Sequence, residues 1–569
     1  MKASFKARTP VEPAATATRS RRIGRLVAML IAAAAVGFPA AAAAQGAGSG
    51  GAAAVQNSGH LAPRLDFSAA EMALAQAVAT DPALAAFYGS TGLQPVFAGA
   101  QGAARRAALI DAVAAAPAHG LPPGRYAPAD LRAADAATDP GGELLFARVL
   151  SRWVGDLTGG MVGDPRRIDP MIVRQVLRDT PVADLMRGFV ASNDPARFLA
   201  TIGPDDPRYL RLQDALAARA QLVAPAGTPE APAGLWRVGM RDDRLGDLRA
   251  RLDAIGFAPA GGAGDPAVYD QPLADAVAAY QDAAGLPPDG VAGPKTIGRL
   301  NAGADGQTRA IMIALERMRW LGGHDLTARH VWVNVPEYNV RVFENGQQLF
   351  QTRAVMGKPD PDMQTPEFSD QMESVVVNPS WNVPPGILAR DYLPRLQQNR
   401  HALSHLDVVD RRGNVVARDG IDFGRYTAAN FPYRLRQKPS DDNALGLVKF
   451  IFPNRWNIYL HDTPSKGLFS HDRRAYSNGC VRLGDPFDFA YLLLSQQTSN
   501  PQGMFHRALD SGRETWLQLR PNVPVHLVYF TALPDQDGRV RFYGDIYGRD
   551  AKVWQAMVKA GLEPIADND

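Results

Sequence analysis

The spacing of apolar residues changes along this chain, and each change marks a domain. From Leu65 to about Leu222 the pattern is helical and rich in alanine, with Leu84, Phe87 and Tyr88 on one face. Gly92-Leu-Gln-Pro-Val-Phe97 and His119-Gly-Leu-Pro-Pro-Gly-Arg-Tyr126 interrupt it as turns. This predicts a helical domain over 61–222. Residues 223–234 are rich in proline and glycine and read as a linker. Over 235–302, Leu245, Leu248, Leu252 and Ile255 stripe one helix, and Leu273, Val277 and Tyr280 stripe a second. A turn from Gly285 to Thr296 opens a third, giving a small three-helix module. Ile311, Leu315 and Met318 predict a connecting helix within 303–324, closed by Trp320-Leu-Gly-Gly323.

After that helix the period falls to two. Val331, Val333 and Val335 alternate with Trp332 and Asn334, as in a half-buried strand. Asn339 to Phe343, then Asn345-Gly346, then Gln348 to Val355 read as a hairpin with a type I′ turn. Val375-Val-Val377, Trp456 to Leu460 and Val525 to Tyr529 predict further strands. A mostly β domain over 325–535 follows. Residues 386–446 break its pattern with polar sequence and a helix around Leu403, His405 and Leu406, and read as an inserted cap. Residues 536–569 read as a C-terminal tail. The expected fold class is multi-domain α+β.

Composition adds compartment rather than partner. The 569 residues are 46% hydrophobic and 21% charged, with a net charge of +3. That balance gives no reason to expect nucleic-acid binding. Arg19, Arg21, Arg22 and Arg25 precede an apolar run from Leu26 to Phe38, and Ala42-Ala43-Ala44 supplies small residues for cleavage. Residues 1–44 therefore read as a signal peptide, with an uncleaved anchor as the alternative, and the expected location is the periplasm. Residues 45–60 read as disordered. One cysteine, Cys480, stands in the whole chain. An exported protein ordinarily uses cysteines in disulfides, and a single one forms no internal bridge, so it is incidental or kept as a reactive thiol.

The surroundings of Cys480 favour reaction. Ser477-Asn478-Gly479-Cys480 is a tight polar turn, and His461 and His471 lie 19 and 9 positions upstream. A thiol becomes a strong nucleophile as thiolate, and an imidazole is the usual partner that makes one. Backbone N–H groups at Gly479 and Cys480 are candidates to hold an oxyanion.

His461, fifteen intervening residues, then Ser477-Asn-Gly-Cys480-Val-Arg482 resembles the signature of L,D-transpeptidases of bacterial peptidoglycan. The flanks Leu447-Val-Lys449-Phe, Phe452-Pro-Asn454 and Tyr459-Leu-His-Asp-Thr-Pro464 resemble its large multi-domain Gram-negative members, as do Thr365-Pro366 and Asn378 to Pro385. Asn478 stands where the more usual form has histidine. The resemblance implies a helical scaffold, a peptidoglycan-binding-like module and a sandwich-like β catalytic domain with a cap. It also implies acyl transfer. Cys480 attacks a tetrapeptide stem, D-alanine leaves, and a side-chain amine of a second stem resolves the thioester into a 3→3 cross-link. His461 is the expected base, with His471 as second choice. Gly479, Tyr459 and Ser477 are expected to serve the oxyanion or orient the turn. Arg482 is read as binding a stem carboxylate or bracing the turn, and Asn478 as a turn residue near substrate; Arg473 and Arg474 could attract stem carboxylates. Water in place of the amine would make a carboxypeptidase or cross-link hydrolase; an envelope protein as acceptor is a related option. A wall-binding scaffold with a silent catalytic domain is the non-enzyme alternative. The expected partners are stem peptides and glycan, with wall synthases possible; a monomer is expected, and a carbapenem should label the thiol. No cofactor or metal is expected. His401 and His405 stand four apart, but Ala402 occupies the place where a metalloprotease helix has glutamate.

Overall fold

The computed structural model describes residues 67–569 apart from 138–141, 179, 226, 261–264, 302–305 and 563–569. The expected signal peptide and disordered stretch lie outside the described residues. Among the described residues no helix is long and apolar enough to cross a membrane.

The N-terminal region is helical, as its periodicity predicts. Ser68 starts the helix Ala69–Val78 with a capping box to Glu71. The helix Gly142–Gly159 runs through the middle and buries Phe146, Leu150, Trp153 and Leu157. Its core also receives Val553, Trp554 and Met557 from a helix at Arg549–Lys559. The stretch read as a tail is therefore built structure. Its strand Val540–Phe542 pairs back onto Ala532–Pro534, and its last helix joins the scaffold core. Residues 235–302 fold as three helices, Leu245–Ala254, Gln271–Ala283 and Pro294–Asn301, around Leu248, Tyr269, Val277 and Ile297. The linker before them is pinned: Asn301 exchanges two 2.8 Å hydrogen bonds with the Ala231 backbone.

The region after residue 325 contributes strands β1 (His330–Asn334), β2 (Asn339–Glu344), β3 (Gln347–Gly357) and β4 (Phe368–Val377). The cap holds β5 (Trp381–Asn382), β6 (Leu406–Val409) and β7 (Arg434–Gln437). β8 (Val448–Ile451), β9 (Leu460–His461), β10 (Ala475–Ser477), β11 (Val481–Leu483) and β12 (Thr515–Val528) complete the main sheet. Its order is β10-β3-β11-β9-β8-β4-β12-β1-β2, and β2 also pairs with β3, so the sheet closes on itself. The closed sheet surrounds one apolar interior. Val331, Val340, Val375, Phe450, Leu460 and Val481 fill it. The β2–β3 turn at Asn345-Gly346 takes two positive φ angles, 52° and 74°, as a type I′ turn requires.

Three expectations are corrected. The strand predicted over Trp456 to Leu460 is short, only Leu460–His461. Asn454 captures the preceding backbone instead: its Oδ1 accepts from Trp456 and Ile458 N–H, and its Nδ2 donates to the Phe452 and Ile458 carbonyls. The cap is a small α/β body, not helix and loop alone. Its sheet runs β5-β7-β6 over its own core of Trp381, Leu396, Leu406, Phe423 and Leu435. Leu403 to His405 lie in a turn after the short helix Leu393–Gln398. His401 and His405 thus share no helix face, and among the described residues no cluster suits a metal.

Candidate active site

Two short strands set the site. β9 and β11 run parallel with Leu460 beside Val481 and His461 beside Arg482. Side chains alternate across a strand, so Leu460 and Val481 enter the core together. Their neighbours share the opposite face: Tyr459 and His461 on one strand, Cys480 and Arg482 on the next, roughly 4.8 Å away. β8 adds Lys449 on the other side of His461. A row Lys449–His461–Arg482 results, with Cys480 and Tyr459 one step along. Nineteen residues of chain separation become two adjacent strands.

The turn from Ser477 to Cys480 ties itself. Ser477 Oγ donates to the Cys480 carbonyl at 2.5 Å and accepts the Gly479 N–H at 3.1 Å. Ser477 is therefore a turn brace. Gly479 has its amide engaged there, which removes it from the expected oxyanion donors. Among the described residues the Cys480 N–H has no acceptor. The Cys480 thiol is half-exposed and donates to the Asn457 carbonyl at 3.6 Å. Burial pushes the thiol up to about 11, although Tyr459 and Arg482 favour the thiolate. The Tyr459 hydroxyl, itself held by the Trp381 indole, faces the sulfur, and burial keeps that phenol protonated.

His461 is buried, with a ring that stands 5.7 Å from that of Tyr459. Its Nδ1 donates to the Asp462 carbonyl at 2.5 Å, which leaves the lone pair on Nε2. Asp462 in turn accepts the Leu447 N–H at 2.9 Å and the Lys466 ammonium at 2.5 Å. Burial, then the Arg482 charge, lowers the imidazole to about 3; Lys449 acts in the same sense. The resting pair is a neutral imidazole and a neutral thiol.

The remaining expected residues divide. Arg482 is half-buried, and its Nε has no partner among the described residues. Asn478 is exposed and accepts from Arg390 of the cap at 3.2 Å, so it meets the cap as well as forming the turn. His471 is exposed and rests against Tyr476. Arg474 is a brace: it donates to the carbonyls of Ala354, His471 and Tyr338. Asn457, Trp381 and Arg390 were missed as site residues. Asn457 and Arg390 carry no sequence signal, because only folding brings their loops to the turn.

Three domain families match separate regions of this chain. The L,D-transpeptidase catalytic domain family matches residues 328–499. A scaffold domain family matches 82–216, and a peptidoglycan binding domain family matches 241–300. A curated Haemophilus influenzae protein with the name "Putative L,D-transpeptidase" is 34% identical over 234 residues, 41% of this chain and 47% of the relative. The chain thus spans about half the length of that relative. A solved L,D-transpeptidase structure from Xylanimonas cellulosilytica aligns over 53% of this chain and all of its own, at 16% identity and a TM-score of 0.14. That score carries no argument.

Proposed function

We propose that this chain, whose regions match the L,D-transpeptidase catalytic, scaffold and peptidoglycan-binding domain families, is an L,D-transpeptidase with Cys480 as its nucleophile and His461 as its base. The observation that carries the assignment is the parallel β9–β11 register, which sets both side chains on one face. His461 Nε2 takes the thiol proton as sulfur bonds to the stem carbonyl carbon. The resulting oxyanion is met by the Cys480 N–H and the Tyr459 hydroxyl. When the carbonyl re-forms, the bond to D-alanine breaks and the imidazolium returns its proton to the departing amine. A side-chain amine of a second stem then attacks the thioester, gives its proton to His461, and expels sulfur, which recovers that proton. A 3→3 cross-link remains.

His471 is exposed and tied to Tyr476, which favours His461 over it. Arg482 and Lys449 flank the base, so a stem carboxylate arriving there meets positive charge. The peptidoglycan-binding module suits the same polymer, and action in the periplasm accords with the proposed substrate.

The test is digestion of sacculi incubated with the purified protein. The expected products are 3→3 dimers, lost in Cys480→Ala and reduced about 10² to 10⁴-fold in His461→Ala. Tripeptides without dimers would establish hydrolysis instead. Survival in His461→Ala with loss in His471→Ala would reverse the base assignment.

A further inference from the structure

The nucleophile turn is held from behind by a segment outside the matched catalytic domain. We propose that Thr365, clamped by Tyr547 and Arg549 of the C-terminal segment, is a positioning residue that aims the Cys480 amide at the reacting carbonyl; this rests on the acyl-transfer reading above.

The links are direct. Thr365 is wholly buried, and its hydroxyl donates to the Gly479 carbonyl at 2.9 Å while accepting the Gly357 N–H at 3.0 Å. Tyr547 donates to the Gly357 carbonyl at 2.7 Å and accepts the Thr365 N–H at 3.3 Å. Arg549, also wholly buried, donates to the Thr365 carbonyl at 2.9 Å and to Gln364 Oε1 at 3.1 Å, and pairs with Glu367 at 3.2 Å. The fit is close: a Cβ on Gly357 would meet the Met363 carbonyl oxygen at 2.0 Å. Tyr547 and Arg549 lie beyond residue 499, where the family match ends. The helix that begins at Arg549 is anchored in the scaffold core by Val553, Trp554 and Met557.

The consequence follows from peptide geometry. In a planar trans peptide the C=O and N–H point in opposite directions. Gly479 O and Cys480 N belong to one such unit. Holding the carbonyl inward on Thr365 therefore turns the Cys480 N–H outward, toward the face that carries the sulfur. That N–H has no acceptor among the described residues, whereas Gly479's is engaged by Ser477. The scaffold and C-terminal helix thereby bear on the oxyanion site without touching substrate.

Two reactions of Cys480 separate this role from plain structural support. Carbapenem acylation passes through an oxyanion; iodoacetamide alkylation needs the thiolate alone. Thr365→Val should slow acylation by at least about 10-fold, leave alkylation within about twofold, and be rescued by Thr365→Ser. Tyr547→Phe should show the same split, with a smaller loss of about 3-fold or more. Acylation and alkylation falling together, or neither falling, overturns the proposal. If Thr365→Val fails to fold, Tyr547→Phe decides by the same criterion. A wild-type protein that iodoacetamide modifies and a carbapenem does not would instead overturn the acyl-transfer reading.

Discussion

Gly479→Ala probes the turn where backbone conformation and chemistry meet. Gly479 has φ = 108°, a region that L-residues rarely adopt. An added Cβ would lie 3.0 Å from Ile458 Cδ1 and 3.4 Å from the Gln364 carbonyl oxygen. The Ile458 methyl ends a side chain that can move, so that contact is a minor cost. The backbone strain is the larger one, about 1–3 kcal/mol. It has two outlets. If the turn keeps its shape, the strain appears as lost stability, and the catalytic region melts several degrees lower with acylation intact. If the peptide rotates, the Gly479 carbonyl leaves Thr365 and the Cys480 N–H swings away from the oxyanion. The same energy then raises the acylation barrier, worth roughly 5- to 150-fold in rate. Melting temperature and carbapenem acylation measured on one preparation partition the two. Gly346→Ala is the control: φ there is 74°, nothing lies within 4 Å, and the turn is an exposed hairpin, so acylation should be unchanged. A Gly479→Ala protein with wild-type melting and wild-type acylation would refute the reasoning.

Two further outcomes follow from charge burial. With the thiol raised to about 11, the thiolate fraction keeps growing through neutral pH, so iodoacetamide alkylation of Cys480 should climb steadily to about pH 11; a plateau near pH 7 would mean a preformed ion pair. His330 is lowered to about 4 and His461 to about 3, both by burial first, so the unfolded chain binds protons more readily than the fold between these values and 6.5. Stability from these groups is complete above 6.5 and is lost as pH falls toward 4 and 3, at roughly 3–5 kcal/mol each when fully protonated. Thermal melting across pH 7 to 4 should therefore fall steeply, and more shallowly in His330→Gln; equal slopes would contradict this.

Much of the architecture was legible because it rests on local periodicity. The helical stripes at 245–255 and 273–280, the hairpin at Asn345-Gly346 and the alternation at 331–335 each encode one face of one element. The cap was misread because its sheet uses two- and four-residue strands, too short for alternation to register. The C-terminal helix escapes the sequence reading because Val553, Trp554 and Met557 pack in a cluster shared with the scaffold and the connecting helix, hundreds of residues earlier.

The same division holds at the site. The sequence by itself pointed to Cys480 as the proposed nucleophile and His461 as the proposed base, since a lone cysteine in a polar turn and a histidine at a family-matching distance are properties of the string. Only the tertiary structure decided which donors are open. Ser477 engages the Gly479 amide, Thr365 turns the Cys480 amide outward, and burial, aided by Arg482 and then Lys449, keeps His461 neutral. These effects depend on contacts between segments far apart in the chain, and hydrogen bonds and charges act over a few ångströms of space, whatever the number of residues between them.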